Sequence, residues 1–433
     1  MLNNRDIIKK AADLLARPLP LLEEQELLNY VRPFLARATE FTTAFRKHGS
    51  PLYLFDKQAL LGRVQQLRDA FKMFLSDFHI YYAVKSNNHP LLAGSLVDCG
   101  LGLDVSSGLE LKLALKCGCR NILFSGPGKT AAELELAIAH ATDITVLMDS
   151  FGELERLQDV AARHHQQVVA GVRLTTDEHG LWRKFGIPLT DLKTFMDQAQ
   201  KHSHVKFSGV QFHTSWNRTP GAQVTFLERI GQTLQKLPSK HLNAIRFLDI
   251  GGGYWPSRGE WLQPAGTPAG RLRQSIEPEL QQTVRHHKLE AEPIEAFARK
   301  ISRALSDHIF PLIQCRIFIE PGRWLNNDAM HLLLTVVDKK ADDLVITDAG
   351  TNVIGWERFE SDYAPVINLS RPSENEHGCL VLGSLCTPHD VWGYSYFGDG
   401  IEPGDVLLIP SQGAYTYSLR QEFIKPLANV MPL

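Results

Sequence analysis

The sequence is poor in cysteine, balanced in charge and without a long apolar run, and each shortage removes a class of protein. Six cysteines in 433 residues (Cys99, Cys117, Cys119, Cys315, Cys379 and Cys386) are too few and too scattered for a disulfide scaffold. Cys117 and Cys119 stand one residue apart with no second pair nearby to complete a zinc site, so buried, reduced thiols and no metal are expected. Lys and Arg number 46 against 48 Asp and Glu, a net charge of -2, which leaves no basic footprint for nucleic acid. The opening stretch MLNNRDIIKKAADLLARPLPLLEEQELL carries acidic residues and no apolar run of membrane-spanning length, so neither a signal peptide nor a span is readable in it. A cytoplasmic protein without a membrane partner is expected. Internal repeats and low-complexity tracts are missing too, which sets repeat architectures aside.

What is there suits a large globular enzyme: 44% hydrophobic and 22% charged residues permit an extensive core. Residues 1–45 have amphipathic helical periodicity, broken around Pro18 and Pro20, and are expected to form a helical extension. From residue 46 short apolar runs alternate with helical stretches. The runs FHIYYAV, LGLDVSS, NILFSG, ITVLMD, QVVAGVRL, FSGVQFHT, IRFLDIGGG and CRIFIEPG are eight, each followed by a polar or glycine-rich loop. This α/β pattern predicts a (β/α)8 TIM-like barrel over residues 46–325. Beyond it, HLLLTVVDKK, DLVITDAG, CLVLGS and DVLLIP predict an all-β C-terminal domain over 326–433, which the strand near 50–55 is expected to join.

In such a barrel, reactive groups lie at the carboxyl ends of strands. Lys85 ends an apolar run in YYAVKSNN, where it either snorkels to water or, desolvated, serves as a Schiff-base nucleophile. Asp249 precedes three glycines, Gly251, Gly252 and Gly253; glycines here either form a turn or let backbone amides approach an anion. Arg323 in IEPGRW offers a guanidinium fork for a phosphate, and Glu320 just before it needs a positive partner if buried. A protonated ring nitrogen is such a partner. SGPGKT at Ser125–Thr130 fails as a nucleotide loop because Leu123 stands where its first glycine is required.

YYAVKSN, LGLDVSSGLEL, FSGPGKTAAELELA, KFGI, FHTSW, LDIGGGY, EPGRW, LCTPHD and GAYTYS occur in the order seen in one family, across residues 50–433. The chain resembles the fold-type III pyridoxal-phosphate-dependent decarboxylases, similar to the diaminopimelate and ornithine decarboxylases. The resemblance implies pyridoxal 5'-phosphate held by Lys85, a ring stacked on His213, and Glu320 keeping the ring nitrogen protonated. It further implies a phosphate bound by Gly251, Gly252, Gly253, Arg323 and Tyr415, with Asp104 setting the surroundings of Lys85 and His213. Cys386 would supply a proton from the other subunit of a homodimer, and Asp390 and Tyr415 would touch the substrate.

The substrate side departs from the family pattern. Thr214, Ser215 and Trp216 follow His213 where a small glycine- and serine-containing turn is usual. Thr387 and Pro388 follow Cys386 where diaminopimelate enzymes carry a glutamate. Arg358 could hold a distal carboxylate and Asp362 a distal ammonium, or both could be solvated charges. The expected reaction is decarboxylation of a diamino acid or of a derivatised one, such as a citrate-linked siderophore intermediate, with diaminopimelate itself as the alternative. A racemase would be expected to face the ring nitrogen with arginine rather than Glu320, and an inactive regulatory homologue to have lost Lys85, Cys386 or Arg323.

Overall fold

The computed structural model describes residues 3–16, 19–277, 284–355 and 361–433. Two compact units share the chain: Leu60–Ser257 with Glu292–Asn326, and Met1–Ala59 with Arg258–Ala291 and Asn327–Leu433. Helices α1 (Asn4–Ala16), α2 (Glu24–Ala36) and α3 (Ala38–His48) come first, then β1 (Leu52–Phe55). β2 (Phe78–Ala83), β3 (Gly102–Val105), β4 (Ile122–Phe124), β5 (Ile144–Met148), β6 (Val168–Leu174), β7 (Val205–Phe212) and β8 (Phe247–Asp249) follow. A small antiparallel pair, β9 (Glu260–Leu262) and β10 (His287–Leu289), precedes β11 (Arg316–Ile319).

Strands β2 to β8 and β11 close into an eight-stranded parallel barrel, and they are the eight runs expected from the sequence. The helices after β3, β4 and β5 begin at Ser107, Thr130 and Ser150, whose hydroxyls accept the amides of Glu110, Glu133 and Glu153. These caps satisfy amides that a helix start leaves open, so each strand-to-helix loop ends at a defined residue.

Side chains two residues apart on a strand share a face, and the barrel interior uses that period to make two layers. Tyr81, Leu123, Leu147, Phe247 and Phe318 form a buried apolar cluster. Phe247 fills space that two glycines leave: a Cβ on Gly171 or Gly209 would lie 2.7 or 2.5 Å from its ring. Two positions on along the same strands stand Ser125, Asp149, Arg173, Gln211, Asp249 and Glu320, all buried and all polar. Asp104 stands likewise two beyond Gly102. An apolar layer therefore underlies a polar one at the strands' carboxyl ends.

The other unit is built on a mixed sheet. β12 (Met330–Ala341), β13 (Leu344–Thr347), β14 (Ile367–Asn368), β15 (Glu376–Leu382), β16 (Val391–Phe397), β17 (Val406–Ile409) and β18 (Asn429–Pro432) join β1 in the order β13-β15-β16-β14-β17-β12-β1-β18. Leu27 and Val31 of α2 and Phe41 of α3 pack into one core with Leu52, Leu54, Leu333 and Leu408. The expected helical extension is thus seated on this sheet through a stripe with helical spacing.

His331 of β12 is sealed in that core, its ring edge-on to Phe34 and Phe41 at 5.4 and 5.6 Å. Nδ1 accepts the Ser411 amide at 3.1 Å. Burial holds the imidazole down at about 4 in spite of Asp56. The folded pKa is depressed, so between pH 6.5 and 4 the unfolded chain takes up a proton that the folded chain refuses. Stability is expected to fall by about 3 kcal/mol as pH drops through this window. Urea unfolding followed at pH 7 and pH 4.5 reads this loss, which His331→Gln should remove.

Candidate active site

β2 carries Lys85 past its end into a single 3-10 turn, Val84–Ser86. The turn is pinned from below. Ser86 Oγ donates to the Ala83 carbonyl at 2.8 Å, and Asn326 Nδ2 donates to both Tyr82 Oη and Ser86 Oγ at 2.8 and 2.9 Å. Lys85 Nζ then lies 3.3 Å from Asp104 Oδ2, with the lysine side chain 36% exposed and Asp104 wholly buried. Ser125 Oγ donates to the other Asp104 oxygen at 2.5 Å. Burial and the nearby Glu320 charge push the Asp104 carboxyl up, and Lys85 opposes them. The amine therefore emerges from a rigid seat beside one buried carboxyl.

Glu320, just past β11, is fully buried, and Gln211 Nε2 donates to its Oε1 at 3.3 Å. His213 Nδ1 is 3.5 Å from Glu320 Oε2 and 3.2 Å from the Gly252 amide, while Ser215 Oγ is 3.3 Å from Nε2. The amide is the shorter contact and a fixed donor, so the lone pair belongs on Nδ1 and the proton on Nε2. Burial raises the Glu320 carboxyl, but the Lys85 ammonium and the hydrogen bond from Asp249 favour its charged form and hold it below its ordinary value. Burial also pushes His213 below its ordinary value, so the ring is neutral and Lys85 is the cation in this balance. Asp249 goes the other way: burial and the Glu320 charge push it well above the carboxylate range. Of these two carboxyls, Glu320 carries the charge and Asp249 the proton, a division that like-charge repulsion in a buried site enforces.

The glycines after β8 are required by close approach. Gly251 and Gly253 have φ of +65° and +80°, backbone that side-chain-bearing residues rarely adopt. A Cβ on Gly252 would lie 2.0 Å from the Glu320 carbonyl, and one on Gly253 2.1 Å from the Thr214 carbonyl. The Gly251 amide is used by Asp249 and that of Gly252 by His213, whereas the Gly253 amide meets no protein acceptor among the described residues. Arg323 opens the helix Arg323–Asn326, its guanidinium 4.6 Å over the Trp255 ring. Gly252→Ala is expected to push β8 and β11 apart, costing about 1–3 kcal/mol of stability and weakening cofactor retention, read by urea unfolding and by dialysis against buffer without cofactor.

The remaining expected residues lie in the sheet unit. Cys386 is an exposed free thiol in the loop between β15 and β16. Asp390, expected to touch the substrate, is 2% exposed, and its two oxygens accept the amides of Thr351 and Leu385 at 2.6 and 2.7 Å. This carboxylate braces the cysteine loop, a use that its sequence position does not reveal. Tyr415 has φ +57°, and Trp216 in the barrel unit has φ +52° and is 61% exposed. Arg358 lies outside the described residues.

Arg173 and Gln211 belong to the polar layer and were not singled out in the sequence. Their signal was the two-residue step from an apolar or glycine position, as in GVRL and SGVQF. Lys129 of SGPGKT binds no nucleotide loop: its buried ammonium donates to the carbonyls of Gly126 and Leu147 and to Glu153, at 2.7, 2.7 and 2.6 Å. Among the described residues there is no cluster able to hold a metal and no helix long and apolar enough to cross a membrane.

The polar layer fits a phosphorylated pyridine aldehyde. Lys85 offers an amine for the aldehyde, the charge on buried Glu320 a partner for a protonated ring nitrogen, His213 a flat ring, and the Gly253 amide with Arg323 donors for a phosphate. Comparison with known proteins agrees. Residues 61–327 match the family model described as pyridoxal-dependent decarboxylase, pyridoxal binding domain. The L-glutamyl-[BtrI acyl-carrier protein] decarboxylase of Niallia circulans is 25% identical over 410 residues, 88% of this chain and 87% of that protein. Diaminopimelate decarboxylase of Aquifex aeolicus is 25% identical over 399 residues, 87% of this chain and 84% of that one. The crystal structure of Helicobacter pylori diaminopimelate decarboxylase complexed with L-lysine shares the fold, with a TM-score of 0.72 at 23% identity over 91% of this chain and 94% of that one. The chain belongs to the pyridoxal-dependent decarboxylases, in the fold-type III group of the diaminopimelate and ornithine decarboxylases, and is an amino-acid decarboxylase that uses pyridoxal phosphate.

Proposed function

We propose that the substrate is an amino acid whose far end carries a substituent, such as a citrate-linked diamino acid of siderophore assembly, and that it is decarboxylated in a cytoplasmic homodimer with shared sites. The observation that carries this reading is the pair Thr387 and Pro388 after Cys386, where enzymes acting on diaminopimelate place a glutamate for the distal amino-acid centre. A threonine and a proline supply no charge there. The Niallia circulans relative, named for a glutamyl group on a carrier protein, supports a derivatised substrate.

When bound, pyridoxal phosphate supplies an electron sink for the pair left as carbon dioxide departs. The chain's own residues do the rest. Lys85 would hold the cofactor through its amine. Glu320, held below its ordinary value, would keep a positive group facing it protonated. Neutral His213 offers a ring face without a competing charge. Cys386, in a loop braced by Asp390, returns a proton to the α-carbon of a site completed from the partner subunit.

Carbon dioxide release by cofactor-loaded protein, measured against meso-diaminopimelate, ornithine, lysine, arginine and citryl-diamino acids, tests the proposal. Release from a citryl-diamino acid at least about tenfold faster, in kcat/KM, than from any free diamino acid is expected. Fastest release from meso-diaminopimelate would overturn it and assign the alternative.

A further inference from the structure

We propose that the amino-end mouth of the barrel is a second ligand site, for a small multivalent phosphate ester that carries a planar ring. A cavity of about 1190 Å³ opens there, as large as sites that take drug-sized ligands. It lies among the strand starts, on the far side of the apolar layer from Lys85.

Three strands in succession bring a cation to this rim: Lys206 on β7, Arg246 just before β8 and Arg316 at the start of β11. Backbone hydrogen bonds join the three strand starts, the Arg246 amide on the Ser208 carbonyl at 2.7 Å and the Arg316 amide on the Arg246 carbonyl at 2.9 Å. Arg316 stands two residues before Phe318 on β11 and so shares its inward face. Asp77 pairs with Arg316 at 2.7 Å and is the one carboxylate in the lining. Lys206 and Arg246 make no ion pair among the described residues.

A neighbouring pocket, with Leu75, Ser76 and His79 in common, is lined by Arg68 and Lys72. The lining also includes Tyr81, Phe247 and Phe318, of which the last two stack at 4.7 Å. Cations spread over several strands suit an anion with many oxygens, because guanidinium forks pair with phosphate oxygens two at a time. An aromatic floor beneath them suits a flat ring.

Calorimetric titration tests this on holoenzyme whose cofactor has been fixed to Lys85 by borohydride reduction, which keeps the phosphate site at the other end filled. The probes are ADP, inorganic pyrophosphate and citrate. ADP is expected to bind most tightly, with an affinity that falls as salt rises. Lys206→Glu with Arg246→Glu should weaken it at least about tenfold while carbon dioxide release without ADP stays unchanged. Should that pair misfold by circular dichroism, Lys206→Gln and Arg246→Gln singly should each still weaken ADP. No binding by ADP below about 1 mM, equal binding by the charge variants, or citrate binding more tightly than ADP would each overturn the proposal.

Discussion

Lys85→Ala is expected to release carbon dioxide from no amino acid at more than about one ten-thousandth of the wild-type rate, the scale of loss when a nucleophile and its proton handling are removed together. The fold should survive. Lys85 Nζ meets Asp104, while the turn beneath it is held by Ser86 and Asn326. Its removal leaves Asp104 without a cation, and a carboxyl already pushed up by burial then takes a proton more readily. Cys386→Ala is expected to lose about 10²–10³-fold in kcat as the acid is lost. Mixing the two inactive proteins under conditions that exchange subunits gives the sharper result. With sites shared across a two-fold axis, half of the dimers are mixed and one of their two sites is intact, so roughly a quarter of wild-type activity returns. No recovery on mixing would mean that Lys85 and Cys386 of one chain serve the same site.

The second large effect is on stability. Lys129→Met is expected to destabilise the barrel unit by about 3–5 kcal/mol, because it strands Glu153 as a buried charge. Both side chains are 1% exposed, and the ammonium spends all three protons, on Gly126, Leu147 and Glu153. Burial pushes the lysine down and the glutamate up, so each group is charged against its surroundings and chiefly the other keeps it so, with the charge and amide of Asp149 assisting. Lys129→Met with Glu153→Leu removes both charges and should recover most of the loss. Urea midpoints for wild type, the single variants and the pair complete the cycle; a pair no better than the worse single variant would show that packing, not charge, is what Lys129 provides.

The barrel was legible because its strands are short apolar runs with polar loops at fixed ends, and Lys85, Asp249 and Glu320 stood out as charges at run ends. Position along a strand narrowed the choices, since a charge there has to face the barrel mouth or be paired, and the family resemblance supplied the roles. The bracing role of Asp390 was not legible: its partners are amides of Thr351 and Leu385, one of them 39 residues away in sequence, and no side-chain pattern announces a backbone contact. Lys129 was hidden for a related reason. A glycine-rich loop ending in Lys-Thr looks alike whether its ammonium meets a phosphate or, as here, two carbonyls and a glutamate. Gln211 and Arg173 were not legible because each sits inside an apolar run, where a lone polar residue does not reveal that it belongs to a second, polar tier.

That tiering limits how such an enzyme can change. In β8 and β11, Phe247 and Phe318 hold the barrel shut, and the next inward residues, Asp249 and Glu320, set the charge at the site. A single inserted residue within either strand would turn both inward positions outward at once, so the protein would lose its seal and its chemistry in one event. Loops bear no such double duty. New substrates are therefore reached through lengthened or altered loops, such as those holding Trp216 and Cys386, while the strands tolerate substitution at one tier at a time and almost no change in length.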